Sequence, residues 1–288
     1  MYLMPVAFGP DSGHYLPSIN GQPEKRITDY YHPGDVQLTQ VTYETDPDVL
    51  EAMIPDCYTL NDPWVSVTVC EFTNLGWQFG RTYNLINVSA PVHFKGERDD
   101  IDGDFVMVMF ENQCEPIIGG RDTMGYAKIF CNIPRTQRYG TVYTNYATNL
   151  DFRFMKLQID TSKPCPDIEN MRKYEGRSAG KMNFKYIPGV KEKDDPEYSN
   201  FKFADIAYPT ILPNWEKPDD YPYEDELLTP QITFCDGSVT WYSPEWEDMP
   251  AMHRVAQGLA SLECKRVIGA KHGIYSDPCH YTSCYRLR

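Results

Sequence analysis

Residues 115–133, EPIIGGRDTMGYAKIFCNI, are the stretch around which the rest of the chain is read. An apolar pair, Ile117-Ile118, runs into Gly119-Gly120, a charged pair, Arg121-Asp122, a short turn, and then Gly125-Tyr126. Lys128 follows, and directly after it comes Ile129-Phe130-Cys131, an apolar run of strand type. Lysine is almost never fully buried unless it is paired. Burial strips water from an ammonium and disfavours its charged form, and the neutral amine is the form that attacks a carbonyl. A lysine at a strand edge with its head in solvent is the ordinary alternative.

Outward from this stretch the chain reads as strands. Residues 36–43 alternate, and so do residues 64–72, with Val65, Val67 and Val69 on one side and Ser66, Thr68 and Cys70 on the other. Residues 82–94, 105–110, 141–146, 152–159 and 180–187 continue the pattern. A short helix is signalled by Asp46 as N-cap, Pro47 at the first position and Pro55 as the stop, with Val49, Leu50, Met53 and Ile54 as its buried stripe. QITFC, Asp236-Gly237 and SVTWY read as a hairpin with its turn at the Asp-Gly pair. The acidic run from Arg98 to Asp104 lacks the spacing of a calcium loop and reads as a second hairpin turn. The 21 tyrosines and 23 prolines suit strands and structured loops rather than a helical bundle. The expected division is an irregular N-terminal arm over residues 1–34 and a single domain over 35–288, interrupted by an acidic, aromatic insertion at 191–230. That insertion is an ordered surface loop or a lid over a pocket.

The chain has 288 residues, enough for a sizeable core, and a formal net charge of −14. So acidic a surface repels phosphate backbones, so no nucleic-acid partner is expected. No apolar run is long enough to span a membrane, and no leader pattern is seen at the N-terminus, so a cytoplasmic protein is expected. The nine cysteines are irregularly spaced, several inside strand patterns, and read as reduced thiols. Cys279-His280 with Cys284 lacks the second pair of a zinc site, so no metal is expected.

The pattern Gly120-Arg121-acid-x-x-small-Tyr126-x-Lys128 resembles the active-site segment of acetoacetate decarboxylases. The likeness continues in Thr45–Leu50 with Ile54-Pro55, in Tyr83-Asn84 with Ala90-Pro91-Val92, in 238–242, in the helical stretch around 253–259 and in 269–275, so it covers residues 35–280. The resemblance implies an incomplete, cone-shaped antiparallel β-barrel with a few peripheral helices, an α+β protein rich in strands. It also implies a homo-oligomer without a cofactor, in which Lys128 forms a Schiff base with a small-molecule carbonyl. Several positions depart from the family pattern. Ile129 stands where a second lysine follows the nucleophile, Leu85 and Thr68 where acids are found, and Val36 or Gln37 where an arginine receives the substrate carboxylate.

These departures imply that simple acetoacetate decarboxylation is not the activity. Aldolase, dehydratase or cyclisation chemistry on a keto acid or polyketide-like carbonyl is expected, with non-covalent binding, cyclisation or isomerisation of an apolar metabolite as the alternative. The candidate catalytic residues are Lys128, Arg121, Glu71 and Tyr126; the candidate substrate-binding residues are Tyr83, Leu85, Thr68, Asp122 and His93. Arg121 and Asp122 also suit an internal ion pair that fixes the turn. Glu111 and Glu115 stand beside Glu71 as carboxylates able to serve the lysine.

Overall fold

The structure, a computed structural model, describes residues 33–190, 204–214, 216, 223–277 and 284–288. Residues 1–32 of the expected N-terminal arm and half of the 191–230 insertion lie outside them, as do Cys279 and His280. The insertion is not loop throughout, because its residues Ala204–Pro213 form a strand of the sheet. In chain order the elements are β1 (Gly34–Glu44), α1 (Pro47–Glu51), β2 (Tyr58–Leu60), β3 (Trp64–Leu75), β4 (Arg81–Lys95), β5 (Asp100–Glu111), α2 (Cys114–Gly119), β6 (Lys128–Phe130), β7 (Gln137–Tyr139), β8 (Val142–Asn149) and β9 (Phe152–Asp160). They continue with α3 (Ile168–Arg177), β10 (Gly180–Pro188), β11 (Ala204–Pro213), β12 (Gln231–Trp241), α4 (His253–Ala260), β13 (Arg266–Asp277) and β14 (Tyr285–Arg286).

The strands join in one path, β14-β11-β10-β5-β4-β3-β1-β13-β12-β9-β8-β7, with β2 on β4 and β6 on β5. The path does not close, so the expected unclosed, strand-rich barrel is what forms. Pairing is antiparallel except where β10 and β6 lie parallel to β5. The long central strands are covered on both faces. Val65, Val67 and Val69 of β3 enter the main core with Val41, Ile86, Val88, Phe110, Phe154 and Leu157. The Phe110 and Phe154 rings meet there with centroids 5.0 Å apart. Cys70 faces the other way, into a second cluster with Leu38, Phe72, Tyr83, Leu85, Met109 and Tyr126.

Local signals account for most boundaries. The Asp46 carboxylate accepts the Asp48 and Val49 amides and starts α1 as expected. The helix is shorter than expected because its end tightens to i→i−3 bonds, Met53 to Leu50 and Ile54 to Glu51. The acidic run contributes less turn than expected: Asp100 to Asp104 already belong to β5. Helix α3 carries no clear apolar stripe, since only Met171 and Tyr174 are buried, and Asp167 caps it through the Asn170 amide.

The Asp236-Gly237 hairpin does not exist. β12 runs straight through the pair, with Gln231–Cys235 on β13 and Asp236–Trp241 on β9. The glycine serves close approach instead of a turn. A Cβ on Gly237 would lie 2.9 Å from Ala270 Cβ, from the Gln158 carbonyl oxygen and from Val41 Cγ2. Gly237→Val is therefore expected to cost about 1–3 kcal/mol of stability by overpacking, read as a lower denaturant midpoint at unchanged slope.

The described cysteines are all free. Burial pushes the Cys70 thiol up to about 12. Brief alkylation near pH 8 is expected to label the exposed Cys114 and Cys264 and to spare Cys70, Cys131 and Cys235 until the chain unfolds. Among the described residues no helix is long and apolar enough to cross a membrane.

Candidate active site

Lys128 opens β6, a three-residue strand that lies parallel to β5 with Lys128 opposite Met109. The chain reaches it through α2 and a single π-helical turn, Gly120–Met124, rather than through a simple turn. Gly125 ends that turn at φ 86, a left-handed conformation that favours glycine. The Gly125 and Tyr126 amides both donate to the Gly120 carbonyl, at 3.0 and 3.2 Å. Gly120 is required for a second reason: a Cβ there would stand 2.5 Å from Lys128 Nζ. The lysine side chain lies directly across the bare face of this glycine.

Lys128 is 5 % exposed. Its ammonium donates to Glu111 Oε1 at 2.8 Å and to the Pro116 carbonyl at 2.9 Å, with the Tyr126 ring centroid 5.5 Å away. Glu111 has no exposed surface, and its Oε2 has no hydrogen-bond partner among the described residues. Burial raises the Glu111 carboxyl above its ordinary range, against the opposing pull of the Lys128 charge and hydrogen bond.

Strand register sorts the other candidates. Successive residues of a strand face opposite sides. Leu38, Cys70, Leu85 and Glu111 stand in one row across β1, β3, β4 and β5, so their side chains share the face of Lys128. Thr68 shares it too, and its hydroxyl donates to Gln40. Tyr83 lies on the same face, stacked on Phe72 with centroids 4.8 Å apart.

Glu71 is three residues from Thr68 and faces the other way. Its carboxylate accepts the Thr136 amide and does not meet the lysine. His93 lies eight residues along β4 from Leu85, roughly 26 Å at strand rise. Its ring sits 3.1 Å from Asp100 and 3.1 Å from Asp102, at the far end of the β4–β5 pair. Arg121 and Asp122 do not form the expected internal pair. Arg121 donates to the Lys128 carbonyl at 3.0 Å, and the Asp122 backbone oxygen takes the Lys185 ammonium. Arg121 thus holds the strand that bears the nucleophile, while its guanidinium lies at the exposed surface.

A cavity of about 340 Å³ opens on the Lys128 face. Leu85 and Met109, the register partners of Glu111 and Lys128, are on its wall; Lys128 itself is not. Thr68, Asp104, Lys181 and Lys271 also line it. In the sequence Glu111 stands only as one of three candidate acids, Asp104 only as the end of an acidic turn, and Lys181 carries no mark at all. Parity within β5 was the available signal, since Glu111 is two residues from Met109.

The acetoacetate decarboxylase family model matches residues 15–281. The chain belongs to the acetoacetate decarboxylase family. An acetoacetate decarboxylase of Chromobacterium violaceum is 31% identical over 91 residues, which is 31% of this chain and 33% of that protein. The matched segment thus spans about a third of the length of that curated relative. The acetoacetate decarboxylase of Legionella pneumophila shares the fold, with a TM-score of 0.62 at 16% identity over 95% of this chain and 92% of that one. The enduracididine biosynthesis enzyme MppR, solved with pyruvate, has a TM-score of 0.58 at 11% identity over 95% of this chain and 98% of that one. Within this acetoacetate decarboxylase fold, Ile129, the residue after the lysine, turns to the opposite face and packs on the main core. It places no cation beside Lys128.

Proposed function

We propose that the protein is a lyase-type enzyme that forms a Schiff base between Lys128 and the carbonyl of a small metabolite. The observation that carries this reading is the buried Lys128–Glu111 pair, laid across Gly120. A buried carboxylate already above its usual range is a competent acceptor for the proton the amine must shed. The neutral amine adds to the carbonyl carbon and the oxygen takes up a proton. Water then leaves, and the amine nitrogen is joined to that carbon as an imine. Protonated, the imine draws electrons from the neighbouring C–C or C–H bond. That supports aldol cleavage or addition, dehydration or cyclisation of a keto acid or polyketide-like carbonyl. Tyr126 bounds the site beside the ammonium, and Arg121 positions the strand. Sodium borohydride with a panel of carbonyl compounds, read by peptide mass spectrometry, tests the proposal: a reduced adduct on Lys128 is expected, and its absence with any compound that is turned over sinks it.

Two further outcomes follow from the same reading. Gly120→Ala is expected to push Lys128 off its partners and slow adduct formation by about 100-fold, while leaving the fold intact, because misplacement of reacting groups by an ångström costs rates of that order. Acetoacetate is expected to release no acetone above background, because Leu85 and Thr68 supply no acid and Ile129 no cation. Robust release that disappears in Lys128→Ala would show that the missing charges are replaced elsewhere.

One observation favours a non-covalent reading. The cavity wall carries Met109 and Leu85 rather than Lys128, so a ligand resting in it reaches the amine only past those side chains. Turnover retained in Lys128→Met would select binding, cyclisation or isomerisation without a covalent bond.

A further inference from the structure

The cavity beside Lys128 has a charged end that the amine chemistry leaves unused. Asp104, 5 % exposed, accepts the Lys181 ammonium on Oδ2 at 2.8 Å. Its Oδ1 makes no well-formed hydrogen bond among the described residues, although the buried Tyr174 hydroxyl stands beside Asp104 on the cavity wall. Oδ1 of Asn87, which is 4 % exposed, has no partner among them either. The Lys271 ammonium pairs with one Glu175 oxygen, and the other takes the Gln40 amide at 3.2 Å. Two carboxylates and two ammoniums therefore line one cavity, and their formal charges cancel.

This arrangement discriminates between ligand chemistries. A carboxylate brings no donor for the two open acceptors and meets the like charges of Asp104 and Glu175. A hydrocarbon leaves both acceptors buried and unmet, which is costly. A hydroxyl both donates and accepts, so it can give its proton to Asn87 or Asp104 and take one from Lys181. We infer that the cavity receives an uncharged, hydroxylated carbonyl compound, its hydroxyls held by Asn87, Asp104 and Lys181 and its carbonyl directed past Met109 to Lys128. Burial works against the Lys181 ammonium, but the Asp104 carboxylate and its hydrogen bond, with the Glu175 charge, outweigh it and raise the pKa. Lys181 thus remains a cationic donor near neutral pH, not a second nucleophile. The carbonyl part of this inference rests on the Lys128 reading, which it narrows from keto acids to the uncharged, polyketide-like carbonyls; the hydroxyl part does not.

Three four-carbon ketones separate the possibilities: erythrulose, hydroxylated and uncharged; acetoacetate, charged and without hydroxyls; and butan-2-one, with neither. Calorimetric titration of the full chain is expected to show erythrulose binding at least about tenfold more tightly than the other two, a difference one well-made hydrogen bond supplies. Asp104→Asn, which leaves the cavity net positive, is expected to shift the preference toward acetoacetate by about tenfold. Asn87→Leu is expected to weaken erythrulose and spare butan-2-one. Equal binding of the three ketones, no binding of any, or a wild-type preference for acetoacetate or butan-2-one would overturn the inference. The two readings fail separately. Discrimination kept in Lys128→Met, with no reducible adduct in the wild type, removes the covalent chemistry and keeps the hydroxyl site. Adducts on Lys128 that form equally with all three ketones do the reverse.

Discussion

Lys128→Met is expected to abolish borohydride-trapped adducts and to lower turnover of any substrate by a factor on the order of 10⁴ or more. The loss is large because, among the described residues, no other group within reach of the site can replace the amine. Lys181 lines the neighbouring cavity but is held as an ammonium by Asp104. Lys185 is tied to backbone oxygens of the Gly120–Met124 turn. Methionine keeps the length and most of the volume of the lysine side chain, so the loss of turnover reflects the missing amine rather than lost packing. A variant that still yields adducts at position 128 is impossible; one that yields adducts on another lysine at wild-type rates would move the nucleophile elsewhere.

Glu111→Leu is expected to carry the largest loss of stability, about 3–5 kcal/mol, because it leaves the Lys128 ammonium buried without its countercharge. The double variant Lys128→Met/Glu111→Leu removes both charges and is expected to recover most of that loss. Well-packed apolar replacements of buried ion pairs are often neutral or better. Chemical denaturation of the wild type, the two single variants and the double variant closes the cycle, and a double variant as weak as Glu111→Leu would mean that packing rather than charge dominates.

The single variant Lys128→Met adds a pH signature. The Glu111 carboxyl has a folded-state pKa above its unfolded value, so the fold binds that proton more readily than the unfolded chain does. Stability from this group is present below the unfolded pKa and is lost as pH rises through the folded one. Without the lysine charge to oppose it the shift grows. Lys128→Met is therefore expected to approach wild-type stability on moving from about pH 7 toward about pH 5, and to fall away again on return.

Much of this was legible in one sequence, and for specific reasons. The valines of β3 alternate with Ser66, Thr68 and Cys70 because the strand is buried on both faces by different partners, and alternation survives that. Asp46-Pro47 marked the start of α1 because capping is local chemistry. Glu71 and Thr68 both stand as candidates in the sequence, yet strand parity alone puts them on opposite faces of β3, with Glu71 away from Lys128. Glu111 was harder to single out. Its place opposite Leu85 depends on the register of the long β4–β5 pair, which shifts at Val88/Ser89, and a bulge leaves no simple mark in the sequence. The charged end of the cavity was invisible, because Asp104, Glu175, Lys181 and Lys271 come from four elements that only the sheet path and α3 bring together. Asp236-Gly237 misled because the glycine that permits a tight turn also permits a neighbouring carbonyl and two side chains to crowd against a straight strand.

That straight β12 has a mechanical consequence. Its first half is hydrogen-bonded to β13 and its second half to β9, so one strand stitches the β1–β13 side of the sheet to the β9–β8–β7 side. Neither side can open at β12 without fraying the other. Native-state hydrogen exchange should find the central amides of β12, β13 and β9 leaving protection together, as one foldon at the global unfolding free energy, rather than in two steps. Refolding should share that coupling: Gly237 meets Gln158 and Ala270 across long stretches of chain, so the seam can close only after distant segments have found each other, and a slow, single late phase is the expected kinetic record.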